Sequence, residues 1–432
     1  MRIPIFYIII TLILIVGFID TASTKIPSLA RARWRMKRNK GAIALIVIMV
    51  LCLGAAAVNA YMDKSSVRNQ SGLSSNLTVS EEVGDGIVDS LVSEDPEYDL
   101  SDCYFYTQLN DFDKDLYQIY YDLAIHSDDS SYKRTLSMED WKYNAAMDDF
   151  SKVFYVMLED HPEFFYLESS GTSSRLNISG FSTAGMSHID ISLTPGNPSE
   201  KQMIERFELA ADEFMQGIDL SVSDADIELQ IHDKLISLVS YDYPALSIQG
   251  FSLAHSAYGA LCDDGMGHRN AAVCDGYAKA FQYLLNRAGI NSVVVSGTAG
   301  TLDGGFADEG DHAWNIVCLD GEWYEVDCCW DDLDLEGMEL SSEDIEYIRE
   351  LPQYTVATHW FFNRTTEQMK MIQGVENYAI IIPRQNGYTS FNPCRQAFHI
   401  REIDPMSEGY EIFSYVSNML PIASGTEFGL GI

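Results

Sequence analysis

The chain has 432 residues, of which 47% are hydrophobic, 12% aromatic and 21% charged. That length and apolar share allow a substantial folded core and exclude a disordered or collagen-like chain. Its 64 acidic against 28 basic residues give a formal charge of −36. So acidic a surface repels phosphate backbones, which excludes nucleic acid as a partner.

The charge is unevenly placed. Residues 1–41 hold eight basic residues and one acid, Asp20, so 20 basic and 63 acidic residues remain for the rest. Two uncharged apolar runs, Ile3–Ile19 and Ala42–Val58, are each 17 residues long, the lower limit of the about 17–25 needed for a spanning helix. Seven Lys or Arg lie between them, and the positive-inside rule then places everything after residue 60 on the outer side. Met36-Lys37-Arg38-Asn39-Lys40, the second run and Val58-Asn59-Ala60 also have the three-part form of a secretory signal, with Met36 as an alternative start. Residues 1–60 are thus a membrane anchor or a signal segment. Either way the remainder is membrane-anchored or secreted, and faces the extracellular side.

Residues 61–100, acidic and rich in Ser, form a flexible tether. An N-terminal α+β region follows over 101–225. Phe112, Leu116, Ile119, Tyr120 and Leu123 recur at helical spacing, as do Phe150, Phe154 and Met157 before Pro162. Phe164–Leu167 and His188–Leu193 read as strands. Ser199 with Gln202 predicts a capping box for a helix carrying Ile204, Phe207, Ala211 and Phe214. Ile227, Ile231, Leu235 and Leu238 mark another helix, closed by Tyr241-Asp242-Tyr243-Pro244. The domain expected to carry the chemistry spans 226–370. A β-rich C-terminal extension covers 371–432, with Asn386-Gly387 a hairpin turn between Tyr378–Ile382 and Tyr388–Phe391. Helices first and strands later indicate an α+β fold.

The strongest chemical signal lies in 271–332. Cys274-Asp275-Gly276 opens a helix whose buried face is Tyr277, Phe281, Leu284, Leu285 and Ala288, ended by Gly289. A cysteine at a helix N-terminus sits at the positive end of the macrodipole, where a thiolate is favoured; a small buried core cysteine is the other reading. Asn291–Ser296 reads as a strand. Gly297–Asp311, rich in Gly and Asp and without periodicity, reads as a loop: a lid beside the site, a solvated connection or, without the required ligand spacing, an acidic calcium loop.

His312–Leu319 and Glu322–Cys329 flank Asp320-Gly321, a two-residue hairpin turn. That turn pairs Leu319 with Glu322, hence His312 with Cys329 and Trp314 with Asp327. His312, Trp314, Trp323, Glu325, Asp327 and Cys329 then share one face. His312 and Asp327 become diagonal neighbours with Cα atoms about 7–8 Å apart. An imidazole beside a carboxylate is how a general base is held in one tautomer. With a helix-start cysteine this makes nucleophile, base and orienter, the set that thiol acyl transfer needs.

Val273-Cys274-Asp275-Gly276-Tyr277-Ala278, His312-Ala313-Trp314-Asn315 and Trp323-Tyr324-Glu325-Val326-Asp327 resemble the bacterial transglutaminase-like domain of the papain-like thiol superfamily. Ile231-His232-Asp233-Lys234-Leu235, Tyr241-Asp242 and Ala257-Tyr258-Gly259-Ala260-Leu261 share the resemblance, over roughly 225–335. His359-Trp360-Phe361-Phe362-Asn363 resembles a segment that commonly follows this domain, and His161-Pro162-Glu163-Phe164-Phe165-Tyr166 one that precedes it. The resemblance implies a papain-like core with the nucleophile helix packed on an antiparallel sheet, and Cys274 as nucleophile, His312 as base and Asp327 as orienter. It departs from the family at Cys328-Cys329-Trp330, where a hydroxyl residue usually precedes the tryptophan. Cys329 is then either a packed small residue or a redox partner of Cys274.

In that frame the Cys274 backbone N–H is the natural oxyanion donor. Tyr258 is a candidate second donor, or a buried core tyrosine. Trp314 and Trp330 are candidate cleft walls, or core packing. No cofactor or metal is expected: Cys103, Cys262, Cys318 and Cys394 match no zinc spacing. There is no H-E-x-x-H and no phosphate-cradling glycine loop. The expectation is cysteine-dependent acyl transfer or hydrolysis on protein or peptide amides at the cell surface, whether crosslinking, deamidation or proteolysis. The rivals are a catalytically silent surface binding or assembly module with the same fold, and an envelope protein whose residues 101–225 do the binding.

Overall fold

The computed structural model describes residues 98–428 apart from short segments at 130, 168–174, 195–198, 248–251, 263–269, 303–307, 336–337, 339, 375–377, 385–386 and 403–409. All belong to one compact unit, Ser75–Ile432. The expected apolar runs at 3–19 and 42–58 and most of the tether lie outside the described residues. Among the described residues no helix is long and apolar enough to cross a membrane.

The N-terminal region opens with α1 (Tyr104–Gln108) and α2 (Asp111–Ile125). Asn110 starts α2 by accepting from the Asp113 N–H, a side-chain N-cap. Its buried stripe holds Leu116, Tyr117, Ile119, Tyr120 and Leu123, the face the helical spacing predicts. Strand β1 (Lys133–Glu139) leads into α3 (Asp140–Asp160). Two further strands, β2 (Leu176–Thr183) and β3 (Met186–Leu193), complete a three-stranded antiparallel sheet in the order β1-β3-β2. The expected strand at Phe164–Leu167 is instead part of a 3₁₀ helix, Pro162–Leu167. Phe164 and Phe165 are both buried, and adjacent residues of a strand point to opposite faces.

The helical layer continues with α4 (Glu200–Met215) and α5 (Asp224–Leu238). Ser199 does not form the expected capping box: its φ and ψ of −80° and −10° are already helical and its side chain makes no cap bond, whereas an N-cap needs an extended backbone. Ser223, with ψ 155°, caps α5 by accepting from the Asp226 N–H. Short strands β4 (Val239–Tyr241) and β5 (Asn270–Ala272) pair in parallel around α6 (Ala257–Leu261).

Directly after β5 comes α7 (Cys274–Arg287), ended by Gly289 at φ +83°. Behind it stand β6 (Ser292–Thr301), β7 (Asp308–Leu319) and β8 (Glu322–Val326). Next are α8 (Cys328–Asp331), α9 (Ser342–Arg349), α10 (Pro352–Ala357) and α11 (Thr366–Met369). The chain closes with β9 (Ile380–Arg384), β10 (Gly387–Phe391), β11 (Ala397–Ile400) and α12 (Tyr410–Ser417). Strands β9 and β10 pair antiparallel as a hairpin, but Gly387, expected in the turn, is the first residue of β10 and pairs with Arg384; residues 385–386 lie outside the described residues.

The central sheet is antiparallel in the order β11-β6-β7-β8. Its main core joins Phe207, Ile231, Tyr277, Phe281, Leu284 and Val317, so α7 lies between the other helices and the sheet. This is the expected α+β arrangement of a nucleophile helix on an antiparallel sheet.

The expected loop at Gly297–Asp311 is largely sheet. The ladder of β6 and β7 runs from Ser292 opposite Val317 to Thr301 opposite Asp308. Tertiary pairing overrides the weak local pattern because β11 holds the other edge, with Ile400 opposite Thr298. Gly297 has no room for a Cβ between the Ile400 carbonyl and the Trp314 ring. Strand β11 therefore brings a segment of the expected C-terminal extension into the central sheet.

Candidate active site

Cys274 is half-buried at the first turn of α7, after extended Val273. The Val273 N–H donates to the Ala254 carbonyl at 2.9 Å. Gly276, on the same turn, would push a Cβ into that carbonyl, so the segment before α6 clamps the start of the nucleophile helix. Asp275 pairs with His255 Nδ1 at 2.9 Å and adds negative charge where the macrodipole is positive.

His312 lies on β7 opposite Gly297. Its Nε2 is 2.6 Å from Asp327 Oδ2, and the Cys274 sulfur is near enough to act on the ring. Burial disfavours its charge, but the Asp327 carboxylate and the Cys274 sulfur push the imidazole up to about 10. Asp327 is fully buried, which would raise its pKa; His312 and the hydrogen bonds from both His312 and His399 hold it well below the usual carboxylate range instead.

The expected hairpin register holds from Leu319–Glu322 to Asn315–Val326 and stops there. His312 does not pair with Cys329, nor Trp314 with Asp327, because the chain leaves the sheet at Asp327. That residue caps α8, its Oδ1 accepting the Trp330 N–H at 3.0 Å. The shared face survives: Trp314 Nε1 donates to Glu325 Oε2 at 2.7 Å. A cap is a firmer mount for a carboxylate than a strand position, since its own helix fixes the rotamer.

Trp314 stacks near-parallel on His312 with centroids 6.1 Å apart, and Trp330 lies tilted at 5.2 Å. Trp314 is buried, while Trp330 is half-buried. Tyr258 sits in the core, its ring 4.9 Å from Phe165 and 6.5 Å from Phe207. All seven described cysteines are free, so Cys329 is not linked to Cys274. Burial pushes the Cys329 thiol well up, which suits a packed residue.

One member of the site is absent from the sequence expectations. His399, on β11, places Nε2 2.8 Å from Asp327 Oδ2. Burial and the charge of His312 lower its pKa. The only local signal is a histidine within the short apolar strand Ala397–Ile400.

Behind α8 the resemblance segments around His232 and His359 meet. His232 Nδ1 is 3.0 Å and His359 Nε2 2.9 Å from Asp233 Oδ1, and His232 Nε2 is 3.3 Å from Asp331 Oδ2. His232–Asp233–His359 and His312–Asp327–His399 each group three metal-ligating atoms. In both, those atoms are engaged with one another.

Residues 222–328 match the family model of the Transglutaminase-like superfamily. A 61-residue stretch is 44% identical to Kyphoscoliosis peptidase of Mus musculus and 43% identical to that of Homo sapiens. It covers 13% of this chain and 9% of each relative, so the chain spans about a tenth of the length of these curated proteins. A solved TGase structure is similar over 38% of this chain and 46% of its own, at 17% identity and a TM-score of 0.24. A Cytophaga hutchinsonii protein named as a cysteine-protease candidate is similar over 36% and 62%, at 17% identity and a TM-score of 0.20. The segment 222–328, which contains Cys274, His312 and Asp327, is a transglutaminase-like domain.

Proposed function

We propose that the protein is a cysteine-dependent acyl transferase or hydrolase acting on protein or peptide amides through Cys274, His312 and Asp327. The observation that carries this reading is His312 itself, held at 2.6 Å by Asp327 and pushed up further by the nearby Cys274 sulfur. An imidazole so held stabilises a thiolate and keeps a proton ready for a leaving group.

In this reading the Cys274 thiolate attacks the carbonyl carbon of a carboxamide or peptide. Free amides at the start of α7, that of Cys274 first, hold the oxyanion. His312 then protonates the departing amine, the C–N bond breaks, and a thioester remains. A second amine converts it to an isopeptide; water converts it to an acid, giving deamidation or proteolysis. Asp327 keeps the ring oriented throughout. The substrate is a protein or peptide at the cell surface, a placement resting on the basic stretch between the two apolar runs. N-terminal sequencing of exported protein tests that placement.

The activity is tested by iodoacetamide labelling across pH, followed by intact mass and peptide mapping, with a screen of glutamine peptides and amine acceptors. Rapid labelling of Cys274 at neutral pH, slowed at least ten-fold in His312→Ala, and turnover lost in Cys274→Ala support the reading. A Cys274 that labels like an ordinary thiol and ignores His312 points instead to a surface binding or assembly module that retains the fold.

A further inference from the structure

A second sulfur–imidazole–carboxylate alignment stands outside the transglutaminase-like domain. Cys103 immediately precedes α1, while His161 and Glu163 follow α3, where Pro162 stops the helix. His161 Nδ1 is 2.8 Å from Glu163 Oε1, and its Nε2 is 3.6 Å from Cys103 Sγ. Three rings fix the imidazole: Tyr121 at 4.9 Å, Phe164 at 5.2 Å and Tyr117 at 6.0 Å. His161 is buried, whereas Cys103 keeps part of its surface open to solvent. Burial works against a charged ring, yet Glu163 and Cys103 push His161 up to about 10. The other ionisable groups facing the cluster include Tyr121 and Tyr166, which face Glu163, and Tyr117 and Asp160, themselves joined at 2.9 Å. Burial first, then Asp160 and the nearby Cys103, push the Tyr117 phenol well up.

What separates this cluster from the one on α7 is the state of its backbone amides. The Cys103 N–H donates to the Leu100 carbonyl at 3.1 Å. The Phe105 and Tyr106 amides both donate to the Asp160 carboxylate, at 3.1 and 3.0 Å. These amides are already engaged and cannot turn to a developing oxyanion, which acyl transfer requires. Thiol–disulfide exchange requires none: it needs a thiolate, a cation to hold it, and an open side for in-line approach.

We propose that Cys103, held by His161 and Glu163, is a second reactive thiol of this protein, one that exchanges with small-molecule disulfides and does not transfer acyl groups. The Cys103 thiolate attacks one sulfur of the disulfide R–S–S–R. The new Cys103–S–S–R bond forms as the old S–S bond breaks, and R–S⁻ departs with the electron pair and takes a proton from solvent. No electrons are gained or lost beyond those of the disulfide itself, and a small thiol reverses the step. His161 keeps its proton, and its charge stands beside the attacking sulfur.

The test uses the full chain carrying Cys274→Ala, so that failure here is independent of the activity proposed for Cys274. Glutathione disulfide is the probe, and peptide mapping reads each site over time at several pH values. Cys318 is an internal reference: it is also half-buried, no imidazole among the described residues is bonded to it, and burial raises its pKa. The expected result is mixed-disulfide formation at Cys103 at least ten-fold faster than at Cys318 at pH 6.5. His161→Gln should slow exchange at Cys103 itself at least ten-fold at pH 6.5. Glu163→Gln should slow it by less. Equal rates at Cys103 and Cys318 in the unsubstituted cluster overturn the proposal without any need for the variants. So does an unchanged Cys103 rate in a folded His161→Gln protein.

Discussion

His399 and Asp327 meet at 2.8 Å on the same carboxylate oxygen that His312 reaches at 2.6 Å. Two imidazoles from different strands thus share Oδ2, while Oδ1 takes the Trp330 amide. Among the described residues His399 Nδ1 is buried without a hydrogen-bond partner, which fits a neutral ring protonated on Nε2. With both oxygens engaged, Asp327 cannot rotate away from His312.

His399→Gln should therefore act through position. Under the proposed function, kcat falls about ten-fold, the loss of about one charge-assisted hydrogen bond, while KM changes little. Steady-state kinetics with a peptide amide separates the two constants. An equal loss in KM would mean that His399 touches substrate instead.

The His312–Asp327 pair also sets a pH window for stability. His312 is raised to about 10, so its contribution is complete below its unfolded value of about 6.5 and is lost as pH rises through about 10. Asp327 is depressed, so its contribution is complete above about 3.9 and is lost as pH falls toward its lower folded value. Together they stabilise most between about pH 4 and 6.5. Asp327→Asn should cost about 3–5 kcal/mol in that window by stranding a buried imidazolium, and the deficit should shrink toward pH 10. Urea titrations of both proteins at pH 5.5 and 9.5 measure it.

Gly276→Ala tests the clamp on α7. The added methyl meets the Ala254 carbonyl, so the helix start or the preceding segment must move. Overpacking of this kind costs about 1–3 kcal/mol. Chemical denaturation should show that loss, and Cys274 labelling should slow because its distance to His312 changes.

Arg401 reaches Glu325 Oε1 at 2.6 Å, and that oxygen also accepts from Thr366. Glu325 is in turn the partner of Trp314. Arg401→Met leaves the buried carboxylate without its cation and should cost about 3 kcal/mol or more. Adding Glu325→Gln should recover part of the loss. A double-mutant cycle by thermal denaturation would show the coupling.

The readable parts of the fold were those written locally. The helix starting at Cys274 has its stripe and terminal glycine within sixteen residues, and Asp320-Gly321 sets the β7–β8 register by turn chemistry alone. Those two features place Cys274 at a helix start and His312 on β7, but Asp327 reaches His312 from a helix cap just beyond the end of the β7–β8 register. His399 is placed by neither, because it reaches Asp327 across 72 residues of chain and no short motif encodes such a distance. Strand β6 beyond Gly297 was hidden for the same reason, since its outer half is held by β11. Ser199 and Phe164–Leu167 failed differently: each has the residue types of one local structure and the backbone of another.

The position of β11 gives the domain a timetable. His399 emerges during synthesis 125 residues after Cys274, an interval of about 6–25 s at translation rates of about 5–20 residues per second. Until then the nascent chain can hold cysteine, histidine and aspartate, but β6 has an open edge and Asp327 has one imidazole in place of two. The thiol is made early and its surroundings are finished late, so a ribosome-bound chain carries an unfinished site for most of that interval.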